Sequence, residues 1–215
     1  MRKITPEEEY EDPNDFYTKE EAERYDQSSG MRKTQEEITS ILLALLDTQP
    51  NLEDKILDIG CGTGFSLTYL KSLGYKNLVG IDPAKEMINL ANKKELNVFM
   101  GGFFDLNKLP LEKNSFDLII SVSALQWVIS NKEEMEIKNI IKKIGKDMFN
   151  LLSKTGVCVI QFYPKDINIF EMVASAFERC NFSVSKFVYN EKSIKKRKFI
   201  LVLNKKLVWN NLFSV

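Results

Sequence analysis

The run Lys55-Ile56-Leu57-Asp58-Ile59, continued by Gly60-Cys61-Gly62-Thr63-Gly64, constrains the fold of this chain more than any other segment. A short, nearly continuous apolar run is the pattern of a strand buried on both faces. The glycines after it let the backbone turn sharply into a helix and pass close to a ligand with no side chain in the way. A dinucleotide loop prefers G-x-G-x-x-G, whose last glycine allows close helix packing and whose helix end holds a pyrophosphate. Here Phe65 takes that last place and Asp58 sits inside the turn. A bulky residue and an acid suit a phosphate-free cofactor with a cationic amino group better than a nicotinamide dinucleotide.

From Lys55 onward, strand-like and helix-like segments alternate. Residues Lys55–Ile59, Asn77–Asp82, Asn97–Gly101, Phe116–Ser121 and Gly156–Tyr163 are apolar runs suited to a two-sided parallel sheet. Helical patterns lie around 65 to 73, 84 to 94, 133 to 152 and 167 to 180, and each can cross over to cover a sheet face. The runs Phe182–Tyr189 and Arg197–Asn204 have only a short polar connection, too short for a crossover helix, so they are expected to pair antiparallel. The first thirty residues are polar, contain Pro6 and Pro13, and read as an arm with at most short helices. A helix is expected from about Thr34, where Thr34-Gln35-Glu36-Glu37 fits a capping box. Ile38, Ile41, Leu42, Leu45 and Leu46 then recur on one face that must pack on something. The predicted organisation is an arm over 1–33, one domain over 34–206 and a short tail over 207–215.

Composition removes several chemistries. The chain of 215 residues contains no histidine, which excludes an imidazole base, a Ser-His pair or a histidine-ligated metal. Cys61, Cys158 and Cys180 are widely spaced, so neither a disulfide framework nor a zinc site is expected, and no metal site is assigned. No apolar stretch approaches the length of a membrane span, and the charged first residues lack a secretory signal, so an intracellular protein without membrane contact is expected. Formal net charge is +0. It is unevenly spread: residues 1–30 carry ten acids and four bases, 4 − 10 = −6, whereas 186–206 carry eight bases and one acid, 8 − 1 = +7. Such runs are ordinarily solvated faces.

A second acid supports the cofactor reading. Asp82 ends the second strand, where a carboxylate can accept hydrogen bonds from both hydroxyls of a ribose. Together with Phe104-Asp105 after the third strand and Ser121 to Ala124 after the fourth, it outlines a crevice at the carboxyl ends of the strands. Met87, on the following helix, reads either as core or as a cofactor contact.

Five parallel strands followed by an antiparallel hairpin resemble the plan of the class I methyltransferases. That resemblance implies an α/β Rossmann-like fold with a seven-stranded sheet of order 3-2-1-4-5-7-6, helices on both faces, and S-adenosyl-L-methionine as cofactor. The implied cofactor-binding residues are Asp58, Gly60, Cys61, Gly62, Gly64, Asp82, Phe104, Asp105 and Ser121, with Asp105 facing the adenine amino group. A narrower resemblance rests on Asp15-Phe16-Tyr17, Glu21-Ala22, Tyr25, Ser28-Ser29, Met31 and Gln35, on Ser121 to Trp127, and on Gln161-Phe162-Tyr163-Pro164. These are similar to the eukaryotic 18S rRNA guanine-N7 methyltransferase family over about Asp15 to Leu203. The family implies an enzyme of small-subunit biogenesis acting on 18S rRNA in the pre-40S particle, in nucleus and cytoplasm. It also implies a heterodimer with a small zinc-binding activator subunit.

Guanine N7 offers a lone pair and has no proton to lose, so alignment matters more than a general base, and the missing histidines cost nothing. Gln126, Trp127, Phe162 and Tyr163 follow the fourth and fifth strands, where a flat base could stack or hydrogen-bond; the competing reading of each is core packing. Lys192, Lys195, Lys196, Arg197 and Lys198 form the densest basic cluster, and Lys142-Lys143 are expected on a solvent-facing helix; either set could meet phosphates or simply be solvated. If Asn97–Gly101 is the outer strand, Val98, Phe99 and Met100 beside Phe103 and Phe104 leave an apolar edge for a partner strand or for the arm. Two rival readings remain at this stage. One is a small-molecule carboxyl methyltransferase, which the Ala124-to-Trp127 run also resembles; the other is an inactive methyltransferase fold serving as an assembly factor.

Overall fold

The computed structural model of the chain describes residues 4–190, 193 and 197–206. Its centre is a seven-stranded sheet of order β3-β2-β1-β4-β5-β7-β6, as the class resemblance implies. The strands are β1 (Lys55–Ile59), β2 (Asn77–Asp82), β3 (Val98–Met100), β4 (Phe116–Val122), β5 (Leu152–Phe162), β6 (Phe182–Tyr189) and β7 (Lys198–Lys205). β1 pairs in parallel with β2 and β4, and β4 with β5, whereas β7 runs antiparallel between β5 and β6. The order in which strands are added to the sheet therefore reverses between β1 and β4, where the crevice of an open α/β sheet forms.

Because side chains alternate across a strand, the apolar runs supply two cores. Leu57, Ile59, Ile119, Cys158, Ile160, Leu201 and Leu203 face one side, under α8 (Glu134–Leu151) and α9 (Ile167–Glu178). Ile56, Leu118, Ile120, Val159, Ile200 and Val202 face the other, against Ile38, Leu42 and Leu43 of α4 (Ser29–Ala44) and Leu70 of α5 (Phe65–Ser72). The apolar stripe expected before the sheet thus closes its second face. Thr39, fully buried in α4, donates to Gln35 O and lies 3.1 Å from Ser66 Oγ of α5, tying the two helices together.

Two expectations need correction. α4 does not start at Thr34. The Ser28 hydroxyl accepts from Met31 N at 3.2 Å, and Thr34 already donates back to Gly30 O at 2.9 Å. A serine ahead of Gly30 satisfies the first amides earlier than the capping box would, and one glycine in the first turn does not stop the helix. β5 begins at Leu152 rather than Gly156. Its pairing with β4 slips between Phe116 and Leu118, and a Cβ at Gly156 would come 2.6 Å from Phe116 O, so the irregularity depends on that glycine.

The arm contains α1 (Pro6–Glu9), α2 (Pro13–Phe16) and α3 (Lys19–Gln27). α3 docks through Ala22, which is fully buried against Ala84 and Met87 at α6 (Lys85–Lys93). Among the described residues no helix is long and apolar enough to cross a membrane. Residues 207–215, together with Lys192, Lys195 and Lys196, lie outside the described residues.

Candidate functional site

The loop after β1 is held by its neighbour strand: Gly60 N and Cys61 N both donate to Ile81 O, at 2.8 and 3.0 Å. Gly60, Gly62 and Gly64 all have positive φ, at 81, 54 and 84°. Gly60 tolerates no side chain, since a Cβ there would lie 2.2 Å from Ala124 Cβ. At Gly62 the nearest atom to such a Cβ is Met87 Cε at 4.0 Å, so the loop crest faces open space. Met87 is both core and wall: it is 2% exposed, packs on Ala22, and borders the space above Gly62. Cys61 points into a small cluster with Leu67 and Ile88, and burial pushes its thiol well up.

Two carboxylates lie beneath this loop. Asp58 is 1% exposed and neither of its oxygens has a hydrogen-bond partner among the described residues. Burial, with the Asp82 charge second, pushes its carboxyl up to about 8. Asp82 accepts from Gly62 N at 2.8 Å and from Ala84 N at 2.9 Å. Burial raises it to about 6 against the pull of those two amides. A buried carboxylate left without hydrogen bonds is costly, and a cationic or hydroxyl-bearing ligand relieves that cost.

The space above the loop is a cavity of about 830 Å³, within the usual range for cofactor sites. Its far wall is the arm. Tyr25 stacks on Phe65 with ring centroids 5.4 Å apart and is hydrogen-bonded by the Gln35 side chain. Tyr17 lies edge-on to Tyr25 at 6.2 Å and packs on Trp127 at 5.7 Å. Burial raises both phenols, so they stay protonated. Asn14 fastens the arm, donating to Pro83 O at 3.1 Å and accepting from Lys85 N at 3.0 Å; Asn131 donates to Glu8 O at 2.8 Å. Tyr17, Tyr25 and Gln35 were not assigned to the site from sequence. Their signal was the small residue Ala22 between two tyrosines, which lets α3 lie close on α6.

Phe104 and Asp105 border the cavity, Phe104 37% exposed beneath the Lys143 ammonium. Asp105 accepts from Lys108 Nζ and Gly102 N, and these partners hold its carboxyl below the usual range. Ser121 lies elsewhere: it is fully buried and donates to Ile59 O at 2.8 Å, bracing the end of β1 from β4.

On the acceptor side, Gln126 and Trp127 start a short helix, α7 (Gln126–Ile129), which the sequence reading left out. Gln126, Trp127 and Tyr163 border the cavity, Tyr163 being 43% exposed. Phe162 does not; it is fully buried against Phe170. The basic hairpin is partly spoken for. Lys198 is 7% exposed, donates to Glu37 at 3.1 Å and lies over the Tyr189 ring, while Lys186 pairs with Glu171. Lys142 and Lys143 are exposed on α8, as expected. The arm acids Glu7, Glu11 and Asp12 line the cavity.

S-adenosylmethionine carries an ammonium, a sulfonium and two ribose hydroxyls, and no phosphate. The unpartnered Asp58 carboxylate, the carboxylate of Asp82 and the open crest at Gly62 fit that group. A pyrophosphate would meet acids here rather than a cationic cradle.

Comparison with known proteins agrees with this chemistry. Residues 57–160 match a methyltransferase domain family. The chain is 32% identical to the 18S rRNA (guanine-N(7))-methyltransferase of Bos taurus over 197 residues, which cover 89% of this chain and 68% of that protein. Among solved structures, magnesium protoporphyrin IX methyltransferase from Synechocystis with bound S-adenosylmethionine has a TM-score of 0.61 at 16% identity, covering 95% of this chain and 100% of that one. A chain from the complex between the Haloferax volcanii Trm112 methyltransferase activator and a methyltransferase has a TM-score of 0.58 at 17% identity, covering 86% and 97%. These two structures share the fold, and the sequence match carries the closer kinship: the chain belongs to the 18S rRNA (guanine-N(7))-methyltransferase family of S-adenosylmethionine-dependent enzymes.

Proposed function

We propose that this chain methylates N7 of a guanine in 18S rRNA during assembly of the small ribosomal subunit. The observation that carries the reading is the pairing of a family match along 89% of the chain with a cavity bordered by Asp82 and the Gly60–Gly62 loop, behind which the buried carboxylate of Asp58 lacks partners among the described residues. S-adenosylmethionine held there would supply an electrophilic methyl group, and guanine N7, which has a lone pair and no proton to lose, would need no base. Asp58, Asp82, Asp105 and the loop from Gly60 to Gly64 hold the cofactor, with Cys61 and Ser121 supporting the loop and strand end behind it. The phenols of Tyr17 and Tyr25 close the cavity from the arm side and exclude water. Gln126, Trp127 and Tyr163 position the acceptor, and Phe162 backs them from the core. Orientation of two reactants supplies roughly 7 to 11 kcal/mol of a barrier, enough to dispense with acid-base catalysis.

The test is mapping of N7-methylguanosine in small-subunit rRNA, by borohydride and aniline cleavage, in cells with and without the gene for this chain. One site is expected to vanish and to return with the intact chain but not with Asp82→Ala. If every site persists, the rRNA assignment fails.

The proposal includes a small zinc-binding activator subunit and presence in nucleus and cytoplasm. β3 is the last strand of the sheet, and its Met100 is 61% exposed. The arm's hydrogen bonds and ring contacts include Phe65, Pro83, Lys85, Lys94, Asn131 and Trp127 and, among the described residues, no residue of β3, which leaves β3 for a partner strand.

A further inference from the structure

Ser123 sits at the end of β4 with φ 57°, in the left-handed region that non-glycine residues seldom adopt. Two contacts to one residue of β5 hold it there: Ser123 N donates to Gln161 O at 3.0 Å, and Ser123 Oγ donates to Gln161 Oε1 at 2.8 Å. The turned backbone presents its carbonyl to α7, where Gln126 Nε2 donates to Ser123 O at 2.8 Å. With its NH2 group committed, the Gln126 amide is fixed in one orientation. Its Oε1 is buried with no hydrogen-bond partner among the described residues, although Gln126 borders the cavity. Gln161, fully buried, does not border it.

A strained serine, a doubled contact to hold it and an aligned amide whose oxygen is left over make a costly arrangement for packing alone. We propose that Gln126 Oε1 reads the guanine base by accepting from its N1–H and 2-amino group, and that Ser123 and Gln161 are positioning residues that aim it. The inference rests on the guanine-N7 reading above. An oxygen acceptor suits that edge for two reasons. Adenine offers an unprotonated N1 there and no 2-amino group, so it meets lone pair with lone pair. Guanine becomes cationic on N7 methylation, which strengthens its N1–H and 2-amino group as donors, so the same contact tightens as the methyl arrives. A left-handed serine ahead of α7 was invisible in the sequence, where Ser121-Val122-Ser123 reads as the end of a strand.

The experiment uses the protein with its partner, and small-subunit rRNA transcripts carrying guanine or inosine at the mapped position. Inosine keeps N7 and N1–H and lacks the 2-amino group. The intact enzyme is expected to prefer guanine about tenfold in kcat/KM, the size of one lost hydrogen bond in a dry site. Gln126→Leu, which removes the oxygen acceptor, should erase the preference. Ser123→Gly accepts the same φ without strain, so it should fold, keep the cofactor Kd by calorimetry, and lose most of the preference. Equal losses on guanine and inosine in Gln126→Leu and Ser123→Gly would overturn the proposal, as would a cofactor Kd weakened by Gln126→Leu, which would place the oxygen on the cofactor. Absence of any methylation by the intact enzyme is a separate result: it removes the guanine reading, and this inference with it.

Discussion

Replacing Asp58 by asparagine removes a buried charge while keeping the side chain's size, and the structure fixes what stability should then do with pH. In the unfolded chain this carboxyl titrates near 3.8, whereas in the folded protein it is pushed up to about 8. Below 3.8 it is protonated in both states; above it the unfolded chain gives up a proton that the folded chain retains. Stability is therefore fully present on the acid side and is lost as pH rises toward the folded value. Linkage across pH 5 to 8 gives a loss on the order of 4 kcal/mol from Asp58 and about 1 kcal/mol from Asp82. For a domain of this size each kcal/mol moves Tm by about 2 to 4 °C. Thermal unfolding followed by circular dichroism should then show Tm falling on the order of 10 to 20 °C from pH 5 to pH 8 in the free protein. In Asp58→Asn the fall should shrink to about 2 to 4 °C, with a higher Tm than the parent at pH 8. Saturating S-adenosylhomocysteine, whose ammonium and ribose hydroxyls compensate the acids, should flatten the parent's profile and leave the variant's nearly unchanged. Identical slopes in parent and variant would refute the reasoning, because the buried charge would then not be what titrates.

Gly60→Ala combines a left-handed φ, worth about 1 to 2 kcal/mol, with a collision against Ala124, so cofactor affinity measured by calorimetry should fall more than in Gly62→Ala, where a Cβ meets open space. Lys198→Gln should lower stability in a denaturant titration and leave the salt dependence of rRNA binding intact, since Lys198 is paired with Glu37. Joint replacement of Lys142 and Lys143 by glutamine should reduce the slope of log K against log salt concentration by about 2 if both meet phosphates. Met100→Glu puts a charge on the exposed edge strand and should abolish co-purification with the activator subunit while leaving the free chain's melting profile within about 0.5 kcal/mol of the parent.

The architecture was legible because strands buried on both faces must be mostly apolar: β1 and β2 run as the apolar pattern predicts, and the edge strand β6 keeps its expected bounds through the short connection to β7. β5 was not fully legible because its first residues, Ser153, Lys154 and Thr155, are polar and pair through a slipped register that no apolar period encodes. In the site, Asp58, Asp82 and the glycines could be read because an acid at a strand end and glycines at a sharp turn have few other uses. Ser121 and Phe162 mislead for a reason of parity. Ser121 braces β1 from within the sheet, and Phe162 shares the face of Ile160 in the α8 and α9 core, whereas the next residue, Tyr163, turns outward. Tyr17 and Tyr25 join the cavity wall because Ala22 seats α3 on α6, and Gln35 because α4 is packed on the sheet, contacts between distant parts of the chain.

That wall is fastened unequally along its length. α3 is seated by a buried alanine, and α4 is keyed to the sheet through Ile38, Leu42 and the Thr39–Ser66 contact, whereas α1 and α2 bury no residue. Residues 6–16, ahead of the cap at Thr18, are therefore expected to detach before Tyr25 and Gln35, which stay with the frame. Amide exchange should accordingly be fast before Tyr17 and slow after Ala22. A spent cofactor leaving on that side would break a few polar contacts and the ring packing on Trp127, and would leave both hydrophobic cores closed.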